Sequence, residues 1–370
     1  MDPRFLRNVL LKGLVIFFAL DLVFAVVPAG LGKVSLYNRV FTGRERFPFG
    51  EDSAQSYNLS LFDLDAMFAS HLIAAEPKPD DEFRVILIGD SSVWGTLQHP
   101  EDTLAGRINT AGLTTCDGKT VRVYNLGYPT ISLTKDLMVL DYAMRYEPDL
   151  ILWGVTLEAF PDDKQLTTPL VANNAARVDD LTARYNLSFD ANDPALVRPT
   201  FWDRTIIGQR RALADLIRLQ LYGVLWSATG IDQTYPADYT PAQYDFDADE
   251  SFHDFQPPML DESRLAFDVL EAGITAAGDV PIVVFNEPML ISKGSNSDLR
   301  YNFFYPRWAY DQWRQSMADK AVENGWDYLD LWDLIPDISY YTNSAIHLTP
   351  AGESILAERL EQAIQKQTCP

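Results

Sequence analysis

The chain has 370 residues, 47% of them hydrophobic and 22% charged, enough apolar material for a large core and too much for general disorder. Its formal net charge of −22 argues against nucleic acid or any other polyanion as the main partner. Two cysteines, Cys116 and Cys369, are too few for a disulfide framework and leave one bridge or two free thiols open, and four histidines are too scattered for a zinc site.

Residues 9–31 form the longest apolar stretch, with Arg4, Arg7 and Lys12 at its front. About 20 apolar residues suffice to cross a bilayer as a helix. Lys12, near the end, can snorkel to the interface, whereas the central Asp21 needs a partner or a protein-facing side. Val27-Pro28-Ala29 is a poor small-x-small cleavage site, so an uncleaved signal anchor is preferred over a cleaved signal or a buried soluble helix. Residues 1–8 are then a short cytoplasmic tail, 32–80 a juxtamembrane connector and helix, and 81–370 one domain with an insertion at about 160–257. Lys33, Arg39, Arg44 and Arg46 follow the span, so basic residues do not orient it. The short basic N-terminus and the acidic body favour a single-pass cell-membrane protein with its catalytic domain on the exoplasmic side.

From Tyr57 to Ala75 the spacing of Leu61, Leu64, Phe68 and Leu72 predicts a helix, with Asn58 or Ser60 as N-cap and His71 as a structural residue. The charged, Pro-rich segment 76–81 breaks the chain before the main domain. Phe83–Gly95, FRVILIGDSSVWG, reads as a buried parallel strand that stops abruptly at a small, polar turn. A helix from Asp102 or Thr103 to about Ala111, a strand over 121–127, a helix over 133–146 capped by Ser132 or Thr134, and a strand over 149–156 follow. Residues 160–257 break the rhythm and are polar except for 201–228. That stretch contains a helix whose apolar end is expected on the core, with a partner protein or the bilayer surface as alternatives. The alternation resumes with a helix over 260–276, a strand over 280–285, a helix over 307–324, a strand over 326–332 and a last helix over 350–365. Strands alternating with helices predict a parallel sheet in a three-layer α/β/α sandwich of the flavodoxin-like kind, carrying an N-terminal transmembrane helix.

A serine at the C-terminal edge of a buried strand stands where an open α/β sheet places its chemistry. Ser91 is therefore the candidate nucleophile, and its hydroxyl needs a base to remove the proton. His347, in SAIHLTPAG between the last strand and the last helix, falls on the same edge of such a sheet. The strand PIVVFNEPML ends in Asn286-Glu287, like the acid/base strand end of a retaining glycosidase, but no second strand end offers the partner carboxylate. Asn286 and Glu287 are better read as lining the Ser91 pocket.

Gly89-Asp90-Ser91 after the first strand, Asn125-Leu126-Gly127 after the second and His347 before the last helix together resemble an SGNH (GDSL-type) hydrolase, over roughly 82–160 and 278–367. The resemblance implies Ser91 as nucleophile, His347 as general base, and the N–H groups of Ser91 and Gly127 as oxyanion donors. Two departures stand out. Where the family has the asparagine of its Gly-x-Asn-Asp block, this chain has Thr156, whose hydroxyl is the substitute donor. Where the family has an aspartate three residues before the histidine, this chain has Ser344, next to Asn343. His347 is then oriented by one of these, by a backbone carbonyl, or by an acid such as Asp333 or Asp337.

The implied reaction is hydrolysis of O-acyl esters, acetyl above all, of cell-surface glycans or small esters, through a seryl-acyl intermediate without metal or cofactor. Membrane-anchored SGNH proteins of alginate acetylation and teichoic-acid D-alanylation make the first alternative an O-acyltransferase component working beside a multispanning acyltransferase. The second is a catalytically degenerate scaffold or binding subunit.

Overall fold

The computed structural model describes residues 2–27, 31–33, 35, 36, 38, 44–47, 49, 63–75, 77–229 and 238–369. Five strands form one parallel sheet: β1 Glu82–Ile88, β2 Thr120–Asn125, β3 Leu150–Val155, β4 Ile282–Asn286 and β5 Asp327–Asp330, in the order β2-β1-β3-β4-β5. Register runs Ile86↔Tyr124 between β1 and β2, Ile86↔Ile151 between β1 and β3, and Val155↔Asn286 between β3 and β4.

Side chains along a strand alternate between faces, so a sheet covered on both sides must be apolar at every position. β3 meets this demand throughout and β1 from Val85 to Ile88, while Glu82 and Arg84 at the start of β1 are buried as an ion pair. Ile86, Ile88, Ile151 and Trp153 enter one core with Leu137, Leu140, Leu270 and Trp313 from helices Leu133–Ala143, Phe267–Ala277 and Arg307–Asn324. Val85, Leu87, Leu150 and Leu152 enter the other with Ile108, Leu356 and Leu360 from helices Leu104–Ala111 and Pro350–Thr368. The result is a three-layer α/β/α sandwich. Its strand order reverses between β1 and β3, and the crevice at that switch point is where such sheets bind ligands.

Boundaries follow local chemistry. Ser132 and Thr103 cap their helices by accepting from the N–H groups of Lys135 and Gly106. The helix expected from 260 begins only at Phe267, because Leu265 is extended and pairs with Pro161. In the connector, a helix covers Leu64–Ala69, capped by Asp63, while Leu61 and the caps expected at Asn58 and Ser60 lie outside the described residues. The insertion also contains helices Pro169–Ala172 and Ala175–Tyr185, which its polar composition hid; Val178 and Leu181 are buried and hold the second to the core.

One expectation is corrected. The helix Arg210–Thr229 does not seat its apolar side chains on the core: Leu219 is buried, but Ile217 is 60% and Leu221 65% exposed. The choice left open at the cysteines closes in favour of one bridge, Cys116–Cys369, which ties the loop before β2 to the end of the last helix. The helix Pro3–Val26 is apolar and long enough to cross a membrane.

Candidate active site

β1 ends at Ile88 and the chain turns at Gly89 and Asp90 into a single helical turn, Ser91–Trp94. Asp90 caps this turn by accepting from the Ser92 N–H at 2.8 Å, and Gly95, at φ +87°, ends it in the left-handed region that favours glycine. Ser91 is the first helical residue, and its N–H has no acceptor among the described residues. Its Oγ lies 2.8 Å from His347 Nε2.

His347 sits in a loop pinched by the Tyr341↔Leu348 bridge, with the Thr342 N–H donating to the His347 carbonyl at 2.8 Å. That pinch brings Asn343 Oδ1 to 2.8 Å from His347 Nδ1. The Nδ1–H therefore donates to an amide oxygen, the tautomer is fixed, and Nε2 faces Ser91 as a proton acceptor. The alternatives fall away: Ser344 is buried without contact to the imidazole, Asp337 accepts from the Ser339 N–H, and Asp333 is exposed. Burial holds the His347 pKa below its ordinary 6.5, with Asp90 pulling the other way.

Gly127 lies beside the serine turn, where an added Cβ would sit 2.6 Å from the Trp94 nitrogen. Its N–H donates to Asn125 Oδ1 at 3.1 Å, so an oxyanion would have to compete with that side chain. Thr156 follows β3 across the switch point and is hydrogen-bonded to the fully buried Tyr305 hydroxyl. When Tyr305 donates in that pair, the Thr156 proton is free for a substrate oxygen.

Asn286 is fully buried and committed at both ends, accepting from the Tyr310 hydroxyl at 3.0 Å and donating to Asp330 at 2.9 Å. Glu287 is nearly as buried and accepts from the Ser92 hydroxyl. Its other oxygen lies 2.5 Å from where a Cβ on Gly154 would stand, so glycine at that position makes room for the carboxyl. Burial first, then the nearby Asp90, raises the Glu287 pKa well above the ordinary carboxylate range. Glu287 is thus a buried support beneath the serine turn, held through the Ser92 hydroxyl.

Three further residues hold the site, and the sequence reading did not single them out. Lys135, with no exposure, donates to the carbonyls of Gly89 at 2.7 Å and Tyr128 at 3.2 Å and pairs with Asp136 at 2.5 Å, joining the turns after β1 and β2. Gln98 donates to the Leu348 carbonyl at 2.7 Å and to Glu353 at 3.1 Å, joining the loop after Ser91 to the loop that carries His347. From the connector, Arg46 donates to the Gly95 carbonyl at 2.9 Å and stacks over the Trp94 ring. The available signal was a Lys-Asp pair within an apolar helix for Lys135; Gln98 and Arg46 stand in ordinary polar segments.

No family model matches the chain, and no curated protein does. Among solved structures it is similar to a putative lipolytic protein of the G-D-S-L family from Desulfitobacterium hafniense, at 10% identity and a TM-score of 0.33, covering 76% of this chain and 98% of that one. A native aryl esterase from M. smegmatis matches at 14% identity and a TM-score of 0.35, over 77% and 99% of the two chains. A carbohydrate acetylesterase family member from Sinorhizobium meliloti matches at 12% and 0.33, over 77% and 98%. The class assigned to this chain rests on its own topology and side-chain geometry: a doubly wound α/β protein with a serine and a histidine paired at the sheet's carboxyl edge.

Proposed function

We propose that the chain is a membrane-anchored serine esterase acting on O-acyl esters through a seryl-acyl intermediate. One observation carries this reading: Ser91 Oγ is 2.8 Å from His347 Nε2 while Asn343 holds the opposite ring nitrogen at 2.8 Å. As the Ser91 oxygen attacks the ester carbonyl carbon, His347 Nε2 takes its proton. The carbonyl oxygen gains negative charge and is met by the Ser91 N–H and the Thr156 hydroxyl, with Gly127 joining if it leaves Asn125. Collapse breaks the bond to the alcohol oxygen, which receives the proton from His347. Water, deprotonated by the same nitrogen, then releases the acyl group and restores Ser91.

The apolar helix Pro3–Val26 supports anchoring, ahead of a connector and one catalytic domain from about residue 81. The Cys116–Cys369 bridge favours an exoplasmic domain, since disulfides persist in oxidising compartments. A second reading, transfer of the acyl group to a glycan hydroxyl beside a membrane acyltransferase, is favoured by the Arg46 contact, which sets the nucleophile turn directly on the membrane-side connector.

A fluorophosphonate probe tests the chemistry. Ser91 is expected to be labelled, and Ser91→Ala and His347→Ala to lose the label. A folded wild-type chain that takes no label overturns the reading. Aryl-acetate turnover that rises on addition of glycan distinguishes transfer from hydrolysis.

A further inference from the structure

The helix Pro3–Val26 is exposed along nearly all of its length, but Asp21 is only 4% and Ala25 only 7% exposed. These residues, four apart, share one face. On that face Asp21 meets the insertion: its Oδ1 accepts from the Ile207 N–H at 3.3 Å. A second tie lies beyond the span, where the Leu36 N–H donates to Gln220 Oε1 at 2.6 Å. The insertion is thus fastened once to the anchor helix and once to the connector behind it.

At about 1.5 Å per residue, Asp21 stands roughly 8 Å inside the end of the helix at Val26. Ile207 is therefore held near the depth, about 5–10 Å, at which interfacial elements bury their apolar faces. The same segment carries apolar, uncovered side chains: Trp202 is 71%, Ile207 49%, Ile217 60% and Leu221 65% exposed. Ile217 and Leu221 again share a face, opposite in role to the buried Leu219. In a chain of net charge −22, residues 199–221 carry four arginines against two aspartates. Arg210 and Arg211 are exposed, which suits anionic headgroups.

We propose that residues 201–221 are a second membrane-contacting element, seated on the same bilayer surface from which the Pro3–Val26 helix emerges, and that they fix the catalytic domain's orientation to the membrane. This rests on that helix being a bilayer span. The span shields Asp21 with the Ile207 amide, and the insertion buries its apolar face in lipid.

The test is nitroxide labelling of the full chain in vesicles of phosphatidylethanolamine and phosphatidylglycerol in equal amounts. Single cysteines replace Val15 in the span, Leu221 in the seat, and Val322, 85% exposed on the Arg307–Asn324 helix; the native pair is bridged and does not react. Collision rates with oxygen and with a water-soluble nickel chelate report depth. The expected result is a severalfold higher oxygen-to-nickel ratio at Val15→Cys and Leu221→Cys than at Val322→Cys. A high ratio at Val15→Cys with a Leu221→Cys label as open to nickel as Val322→Cys overturns the seat and leaves the anchor standing. Shielding of Leu221→Cys from both reagents means a protein contact and also overturns it. A nickel-accessible Val15→Cys overturns the anchor and the seat together.

Discussion

His347 Nδ1 lies 2.8 Å from the side-chain oxygen of Asn343, so an amide and not a carboxylate orients the histidine beside Ser91. An amide oxygen fixes the tautomer as a carboxylate does, but offers no negative charge to the imidazolium formed in the transition state. Asn343→Ala is expected to lower kcat/KM on an aryl acetate by about 10–100-fold, within the range general-base positioning supplies. Asn343→Asp is expected to retain activity and move the acid limb of the pH–rate profile upward. An unchanged profile in Asn343→Asp would show that this contact does not govern the base.

The same profile in the wild type has a defined sign. The base works only when neutral, and burial lowers the His347 pKa from 6.5, so kcat/KM should rise with pH through a midpoint below 6.5 and then level. A midpoint above 6.5 contradicts this.

Gly154→Ala should destabilise the fold and disturb the serine turn together. Its Cβ would stand 2.5 Å from Glu287 Oε1 and 2.8 Å from Phe285 Cζ, both buried and unable to retreat into solvent. A loss of about 1–3 kcal/mol, the usual cost of overfilling a core, is expected in denaturant unfolding, with reduced probe labelling of Ser91. A fully stable, fully labelled variant would show that Glu287 can move freely.

Glu353 gives a stability signature. Burial raises its pKa from 4.5 to about 8, although Gln98 hydrogen-bonds to it. Between those values the unfolded chain releases the proton while the folded chain keeps it, so stability falls as pH rises from about 4.5 to about 8. Glu353→Gln should flatten that slope in chemical denaturation at pH 5 and pH 8. An equal slope in both proteins rules Glu353 out as its source.

Lys135→Met removes the charge that links the turns after β1 and β2 and leaves Asp136 buried alone. Breaking a buried pair costs about 3–5 kcal/mol. Asp136, already raised to about 6 by burial against the pull of Lys135, would be pushed higher without it. The double variant Lys135→Met/Asp136→Asn should recover part of the stability but not the Ser91 labelling, since neither methionine nor asparagine re-forms both carbonyl contacts. Full labelling in the double variant would show that the clamp does not position the nucleophile.

Much of this protein was legible from local pattern. Unbroken apolar runs mark β1 and β3 because both faces of a parallel sheet are covered. The abrupt change at Gly89-Asp90-Ser91 marks the turn at its edge, and chain order alone sets His347 on that edge. Contacts between distant segments were not legible. Sequence left Ser344 and Asn343 as adjacent orienting candidates, and only the pinch between Tyr341 and Leu348 turns Asn343 toward the imidazole. It left Gly127 as an open donor, whereas Asn125 occupies that N–H. Asp21 demanded a partner that sequence could not name; it is the Ile207 amide, 186 residues away. Periodicity within a segment reports which face is apolar, so it determined the layers and the sheet edge at which Ser91 and His347 stand. Which polar group meets which depends on how separate segments are brought together, and the tertiary structure alone decided that.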